Sequence, residues 1–257
     1  MKITAALLTG AGNTFHIIHE INSDLTITNK KNIAKKICSL KTADGFIFLN
    51  STNKENHFKW DFYNNDGSDA EMCGNATRCV GHYIKNEIKS SQKLWVLETK
   101  AGRIQIEPLS NDQYQITMTP LLLLHSKHGF FCNTGVPHLV LVTNQFENYK
   151  AQKNDARQLR THPDFSPAGT NVTYIQTSKV PSLLKAVTYE RGVEDFTEAC
   201  GTGAVAAAFY NFEVNGVVET TVEMPGGSLM MNLTDLNHPL MTGPALLIGK
   251  YNYEFEI

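Results

Sequence analysis

Two cysteines stand immediately before a glycine where a helical pattern begins: Cys73 in NNDGSDAEMCGNATRC and Cys200 in YERGVEDFTEACGTGA. A thiol at a helix N-terminus ionises easily, because the unpaired backbone N–H groups and the helix dipole favour an anion there. The glycine that follows lets a ligand carboxylate come close to the same N–H groups. Two such thiols on one pocket form an acid–base pair, one taking a proton while the other delivers one. Two readings compete with this. Each cysteine is a small buried residue at a helix start, or the two join in a disulfide. Cys38, Cys79 and Cys132 read as core, and none of the five cysteines forms a CxxC pair of the kind that zinc ribbons and dithiol oxidoreductases use.

Other polar residues carry two readings each. Glu190 and Arg191 in YERG are a surface ion pair, or a carboxylate that binds an ammonium beside a guanidinium that clamps a carboxylate. His138 in GVPHLV is a hydrogen-bonded core histidine, or a group that tunes a thiol. Asn64 precedes the turn signal DGS and Asn171 opens the strand-like GTNVTYI, so local chemistry alone explains both. TGAGNTF lacks the third glycine and the following helix of a dinucleotide site. It reads instead as a tight turn aiming Asn13 into a pocket. The remaining histidines show no metal-ligand spacing, and no metal, pyridoxal phosphate or nucleotide cofactor is expected.

The elements that must hold these residues recur. Thr9-Gly10, Tyr63-Asn64, Cys73-Gly74 and Gly102 are answered by Thr134-Gly135, Tyr189-Glu190, Cys200-Gly201 and Gly227, each 125 to 127 residues further on. An old duplication explains four anchors at nearly one offset. Strands are expected over 3–8, 15–20, 46–50, 57–63, 94–99, 103–107 and 113–118, then over 137–143, 172–177, 184–190, 217–224, 228–233 and 244–249. Helical spacing covers 30–40 and 75–88. AVAAAFYNFEV (204–214) is apolar almost all round, as a helix enclosed by sheet must be. The pattern predicts two similar α/β domains, each a curved sheet around an apolar central helix, with a cleft between them and the crossing at 119–131.

Composition narrows the function. A net charge of -2 over 257 residues gives no basic excess for nucleic acid. Lys30, Lys31, Lys35 and Lys36 read as the solvated face of a helix. No apolar stretch is long enough for a membrane span. MKITAALLTGAG is too short a run for a signal peptide and reads as a first strand. The scattered cysteines suit a reducing cytoplasm.

The chain resembles the diaminopimelate epimerase family, cofactor-independent enzymes of lysine and peptidoglycan precursor synthesis, in a superfamily with other amino-acid racemases. The resemblance runs through TGAGNTF, YNNDGSDAEMCGNATRC, TGVPH, YERG, EACGTGA, EMPGGSL and HPLMTGPA, nearly the whole chain. It implies an α/β (α+β) fold of two pseudo-symmetric domains, each a curved, mostly antiparallel sheet wrapped around a central helix, with the active site in the cleft. A C-terminal strand returning to the first domain gives boundaries at 1–117 plus 246–257, and at 118–245. Cys73 and Cys200 match the catalytic thiols, and His138 and Glu190 match positions that tune them. Gly74 with Asn75, and Gly201 with Thr202, match the loops that hold the α-carboxylate. Asn13, Asn64, Asn171 and Arg191 match positions that recognise the distal end, and Glu190 also faces substrate. The implied reaction is LL- to meso-diaminopimelate, by a homodimer acting on a small amino acid. Where the family has polar side chains at the distal end, this chain has Val136 and Gly45. It also has Phe196-Thr197 for Glu-Thr and Ala76-Thr77 for Gly-Ala. A racemase of histidine or a basic amino acid remains open, as does a thiol redox or ligand-binding protein.

Overall fold

The computed structural model describes residues 2–19 and 25–254. Position 20 of the expected strand 15–20 and positions 255–257 of the C-terminal segment lie outside the described residues. The chain divides into two compact units, Met1–Ile116 with Gly243–Ile257, and Thr117–Thr242.

In the first unit the chain runs β1 (Lys2–Gly10), β2 (Asn13–His19), α1 (Ile27–Leu40), β3 (Gly45–Ser51), β4 (His57–Asn64), α2 (Gly74–Asn86), β5 (Trp95–Thr99), β6 (Gly102–Pro108) and β7 (Gln113–Thr117). Neighbours pair in order: β1–β2 antiparallel, β2–β3 parallel, β3–β4 antiparallel, β4–β5 parallel, then β5–β6 and β6–β7 antiparallel. A parallel pair needs a long crossover, and α1 and α2 supply the two. α1 lies on β3 and β4 through Ile33, Ala34, Ile37 and Cys38, with Lys35 and Lys36 exposed. α2 packs instead on β1, β2 and β6, and buries ten residues, Asn75, Thr77, Arg78 and His82 among them. The approach is close. A Cβ at Gly81 would lie 2.8 Å from Ile106 and 2.9 Å from Tyr114, and one at Gly10 would lie 2.8 Å from the Asn75 carbonyl.

The second unit repeats this order. It runs β8 (Leu122–Leu124), β9 (Phe130–Asn133), β10 (Pro137–Val142), a 3-10 turn (Phe146–Gln152), α3 (Lys153–Arg160), a second 3-10 turn (Pro163–Phe165), β11 (Asn171–Thr177), β12 (Leu183–Glu190), β13 (Asp195–Thr197), α4 (Gly201–Asn215), β14 (Glu219–Met224), β15 (Gly227–Asn232) and β16 (Leu240–Pro244). From β9 the senses are antiparallel to β10, parallel to β11, antiparallel to β12, parallel to β14 and antiparallel to β15. That is the sequence of senses from β1 to β6. α4 packs on β9, β10, β11, β12, β14 and β15. Its unbroken run Gly203–Phe209 is buried, and the alanines within it keep the helix thin enough to be surrounded. Gly216, with φ 69°, ends it by donating to the carbonyls of Asn211 and Phe212. β17 (Leu246–Glu254) then pairs with β1, so the last strand belongs to the first unit.

Three expectations change. The strand expected over 244–249 is two, β16 and β17, parted at the buried Ala245, whose N–H donates to the Asp112 carbonyl (3.0 Å). The segment 119–131 is not a bare crossing, since it holds β8 and the start of β9. The central helix is apolar only in α4, because α2 carries a fully buried arginine.

Candidate active site

In the first unit Cys73 is the extended residue before α2 (φ -147°, ψ 123°) and is half-buried. Its carbonyl accepts from both the N–H and the hydroxyl of Thr77, each at 2.9 Å, which sets the first turn. Asn75, two residues on, is held at both ends: its Nδ2 donates to Asn13 Oδ1 (2.7 Å), and its Oδ1 accepts from Arg78 Nη2 (2.6 Å). Arg78 also donates from Nε to the Pro244 carbonyl (3.4 Å). Burial lowers its pKa to about 10, partly offset by the charges it faces at Cys79 and Cys73, so it is a cation at neutral pH. Asn64 lies apart from this group, closing the turn after β4 by donating to Ser68 Oγ (3.0 Å).

In the second unit Cys200 holds the same place before α4 (φ -123°, ψ 106°) but is buried. Its sulfur accepts from the Gly203 N–H (3.4 Å) and lies 3.4 Å from Thr202 Oγ1. Burial pushes the thiol well above its usual range, and the nearby Glu190 carboxylate pushes it further. Glu190 is itself raised by burial, against hydrogen bonds from Thr197 and Cys200. Glu190 ends β12 and Arg191 opens the turn after it, so the two side chains meet different partners. The carboxylate accordingly meets Thr197, while the exposed Arg191 guanidinium donates to the Ala168 carbonyl (3.4 Å). Glu190's hydrogen-bond partners are thus not the neighbouring guanidinium.

His138 sits on β10 opposite Asn171 of β11 and is fully buried. Desolvation first, and then the Arg191 charge, lower its pKa to about 3, so the ring is neutral. The proton can be placed. Asn171 Oδ1 accepts the Arg191 N–H (2.8 Å), so the amide NH₂ must face His138 Nε2 (3.2 Å). Nε2 is therefore the acceptor, and Nδ1–H donates to Thr173 Oγ1 (2.9 Å), itself 3.0 Å from Thr188 Oγ1. Thr202 Oγ1, 3.0 Å from the same Nε2, can meet it only as a donor, sharing the lone pair that Asn171 also faces. Turned that way, Thr202 keeps its own proton from the Cys200 sulfur, whose S–H is directed at Glu190. His138 thus reaches Cys200 through the Thr202 hydroxyl.

Five expected residues, His138, Asn171, Glu190, Cys200 and Thr202, form one connected network, with Arg191 joined by its backbone. Asn13 and Asn75 form another beside Cys73. Gly74 and Gly201 open their helices. The sequence reading passed over Arg78, Thr173, Thr188 and Thr197. A charged residue inside the apolar period of 75–88 was the one available signal for Arg78. Cys38, Cys79 and Cys132 are buried, as read; burial pushes the first and last to about 12 and Cys79 upward as well. No disulfide joins any of the five.

Comparison with known proteins fits this layout. A phenazine biosynthesis protein of the PhzF family from Bacillus anthracis has a similar fold: TM-score 0.79 at 14% identity, covering 99% of this chain and 100% of that one. A diaminopimelate epimerase from Aquifex aeolicus is 37% identical over 82% of this chain and 82% of its own length. Another, from Carboxydothermus hydrogenoformans, is 34% identical over 95% and 97%. The diaminopimelate epimerase family model matches residues 5–122 and 130–248, both units in turn. The chain belongs to the diaminopimelate epimerase family.

Proposed function

We propose that this chain is an isomerase that converts LL-diaminopimelate to the meso isomer, without a cofactor, by moving the α-proton between two cysteine thiols. The observation that carries this is the repeated placement of a cysteine and a glycine at the start of the central helix, once in each unit of a chain of this family. The α-proton is weakly acidic, so the negative charge left on the α-carbon must be stabilised electrostatically. The N–H groups of Gly74 and Asn75, and of Gly201 and Thr202, open the two helices and suit an α-carboxylate into which that charge spreads.

In one direction Cys73 acts as thiolate and breaks the Cα–H bond, forming its own S–H. Arg78 favours that thiolate. Cys200 acts as thiol: its S–H breaks as a new C–H bond forms on the opposite face, and the stereocentre inverts. The charge left on sulfur is received by the Gly203 N–H and a turned Thr202 hydroxyl. The roles exchange in reverse. Asn13, Asn64, Asn171, Glu190 and Arg191 recognise the distal amino and carboxylate groups. The enzyme acts on a small amino acid in the cytoplasm as a homodimer, without nucleic acid or membrane. Among the described residues no helix is long and apolar enough to cross a membrane.

The test is turnover of LL-diaminopimelate beside a panel of L-amino acids, in reductant and deuterated water. Deuterium should enter at the inverted α-carbon of diaminopimelate. Cys73→Ala and Cys200→Ala should each lose about a thousandfold or more in kcat. Retained turnover in either variant ends the two-thiol mechanism. Conversion of histidine or a basic amino acid in place of diaminopimelate moves the substrate, as Val136 and Gly45 would then explain.

A further inference from the structure

His128 and His162 are 34 residues apart in the chain, too far for a ligand motif, yet they fold against each other. Their ring centroids are 4.4 Å apart, and both rings contact Phe165. Asp164 joins them, its Oδ2 lying 2.8 Å from His128 Nε2 and 3.8 Å from His162 Nδ1. One ligand atom from each of the three lies within 4.8 Å of the other two. The cluster borders an open pocket of about 570 Å³ lined by His125, Ser126, Lys127, Asp164 and Phe165. None of these side chains belongs to the thiol chemistry.

We propose that His128, His162 and Asp164 form a site for a divalent transition-metal ion such as Zn²⁺, Co²⁺ or Ni²⁺, with water or His125 completing the coordination. Two imidazoles and one carboxylate suit these borderline ions and not Mg²⁺ or Ca²⁺, which want mostly oxygen. Bonds of about 2.0–2.1 Å to a tetrahedral ion place ligand atoms about 3.3 Å apart. The separations of 2.8 and 3.8 Å bracket that value. Asp164 supplies the carboxylate ligand, its Oδ2 facing both His128 Nε2 and Lys127 Nζ.

The ion takes the place of the proton that His128 Nε2 shares with Asp164, and of the Asp164 N–H that His162 Nδ1 accepts (3.2 Å). Lys127 Nζ, 3.0 Å from the same oxygen, is a competing cation on a side chain that is 73% exposed and can swing clear. The two turns so joined lead into Thr134–His138 on one side and Thr170–Asn171 on the other. An ion here thus braces the segments that carry the Cys200 network.

The test is a Co²⁺ titration of the full-length Cys73→Ser/Cys200→Ser variant, in which the two proposed catalytic thiols cannot serve as ligands, followed by calorimetry and visible absorption. One Co²⁺ should bind per chain, with no thiolate charge-transfer band. His128→Gln and His162→Gln should each weaken binding at least about tenfold, and Lys127→Gln should tighten it about threefold by removing the competing cation. Unchanged affinity in both histidine variants, or a thiolate band, overturns the site.

Discussion

The ends of α2 and α4 share one backbone plan and opposite local charge. Offsets of 125 to 127 residues pair Asn13 with His138, Asn64 with Glu190, Cys73 with Cys200, Asn75 with Thr202 and Arg78 with Val205. The first unit has a buried cation where the second has valine, and an amide where the second has a carboxylate. Cys73 is half-buried beside that cation, whereas Cys200 is buried beside Glu190 and Thr202. The proposed two-base reaction needs one thiolate and one thiol at a time. The duplication supplies two equal positions, and these few side chains make them unequal.

Alkylation offers the largest test of that inequality. In ligand-free protein at pH 7, iodoacetamide should modify Cys73 at least about a hundredfold faster than Cys200, followed by peptide mass spectrometry. The thiolate is the reactive species, and the Cys200 thiol is held well above its usual range. Its rate should therefore keep rising far into the alkaline range. Glu190→Gln removes a charge that opposes the Cys200 thiolate and should speed its modification about tenfold, one pKa unit. Equal rates at the two cysteines would erase the distinction.

These differences were unevenly legible in the sequence. The duplication, both thiols and both central helices could be read from spacing, because helix starts and glycine turns leave local signatures. The Cys200 network could be read only as isolated candidates. His138 and Asn171 meet through a parallel register that only the fold supplies, and Thr173, Thr188 and Thr197 look like ordinary strand residues. α3 was missed because KNDARQLR buries only Ala156, leaving almost no apolar period. β13, at three residues, is too short to alternate. The departure at Gly45 gains a physical meaning. A Cβ there would lie 2.7 Å from both the Phe62 ring and the Tyr63 carbonyl, so this packing excludes any larger side chain.

Arg78 gives the next largest effect. Arg78→Met keeps much of the volume and removes the cation, so Cys73 alkylation at pH 7 should slow about tenfold. It also strands the buried Asn75 Oδ1, at a cost of about 1–3 kcal/mol in chemical denaturation. Arg78→Lys separates the two roles. A lysine keeps a charge near Cys73 but lacks the planar fork that reaches Asn75 and Pro244 together. Its alkylation rate should recover more than its stability. If Arg78→Met leaves the Cys73 rate unchanged, the cation is structural only.

The smallest effect lies at Thr202, the position in α4 that pairs with Asn75. Thr202→Val keeps the shape and deletes the hydroxyl between His138 and Cys200, so unfolding should ease by about 1 kcal/mol, with Thr202→Ser restoring it. The matching change Asn75→Leu should cost more, because it breaks bonds at both ends of a buried amide and takes a hydrogen-bond acceptor from a cation. Beyond stability, the Thr202 hydroxyl can turn, whereas the Asn75 amide is held at both ends. Thr202 donates to His138 while Cys200 is a thiol, and it can swing to donate to sulfur once the proton has left. Thr202→Val should therefore shift the pH dependence of Cys200 alkylation upward while leaving that of Cys73 in place. A profile that moves at neither cysteine would make Thr202 a packing residue, and the asymmetry would then rest on Arg78 and Glu190 alone.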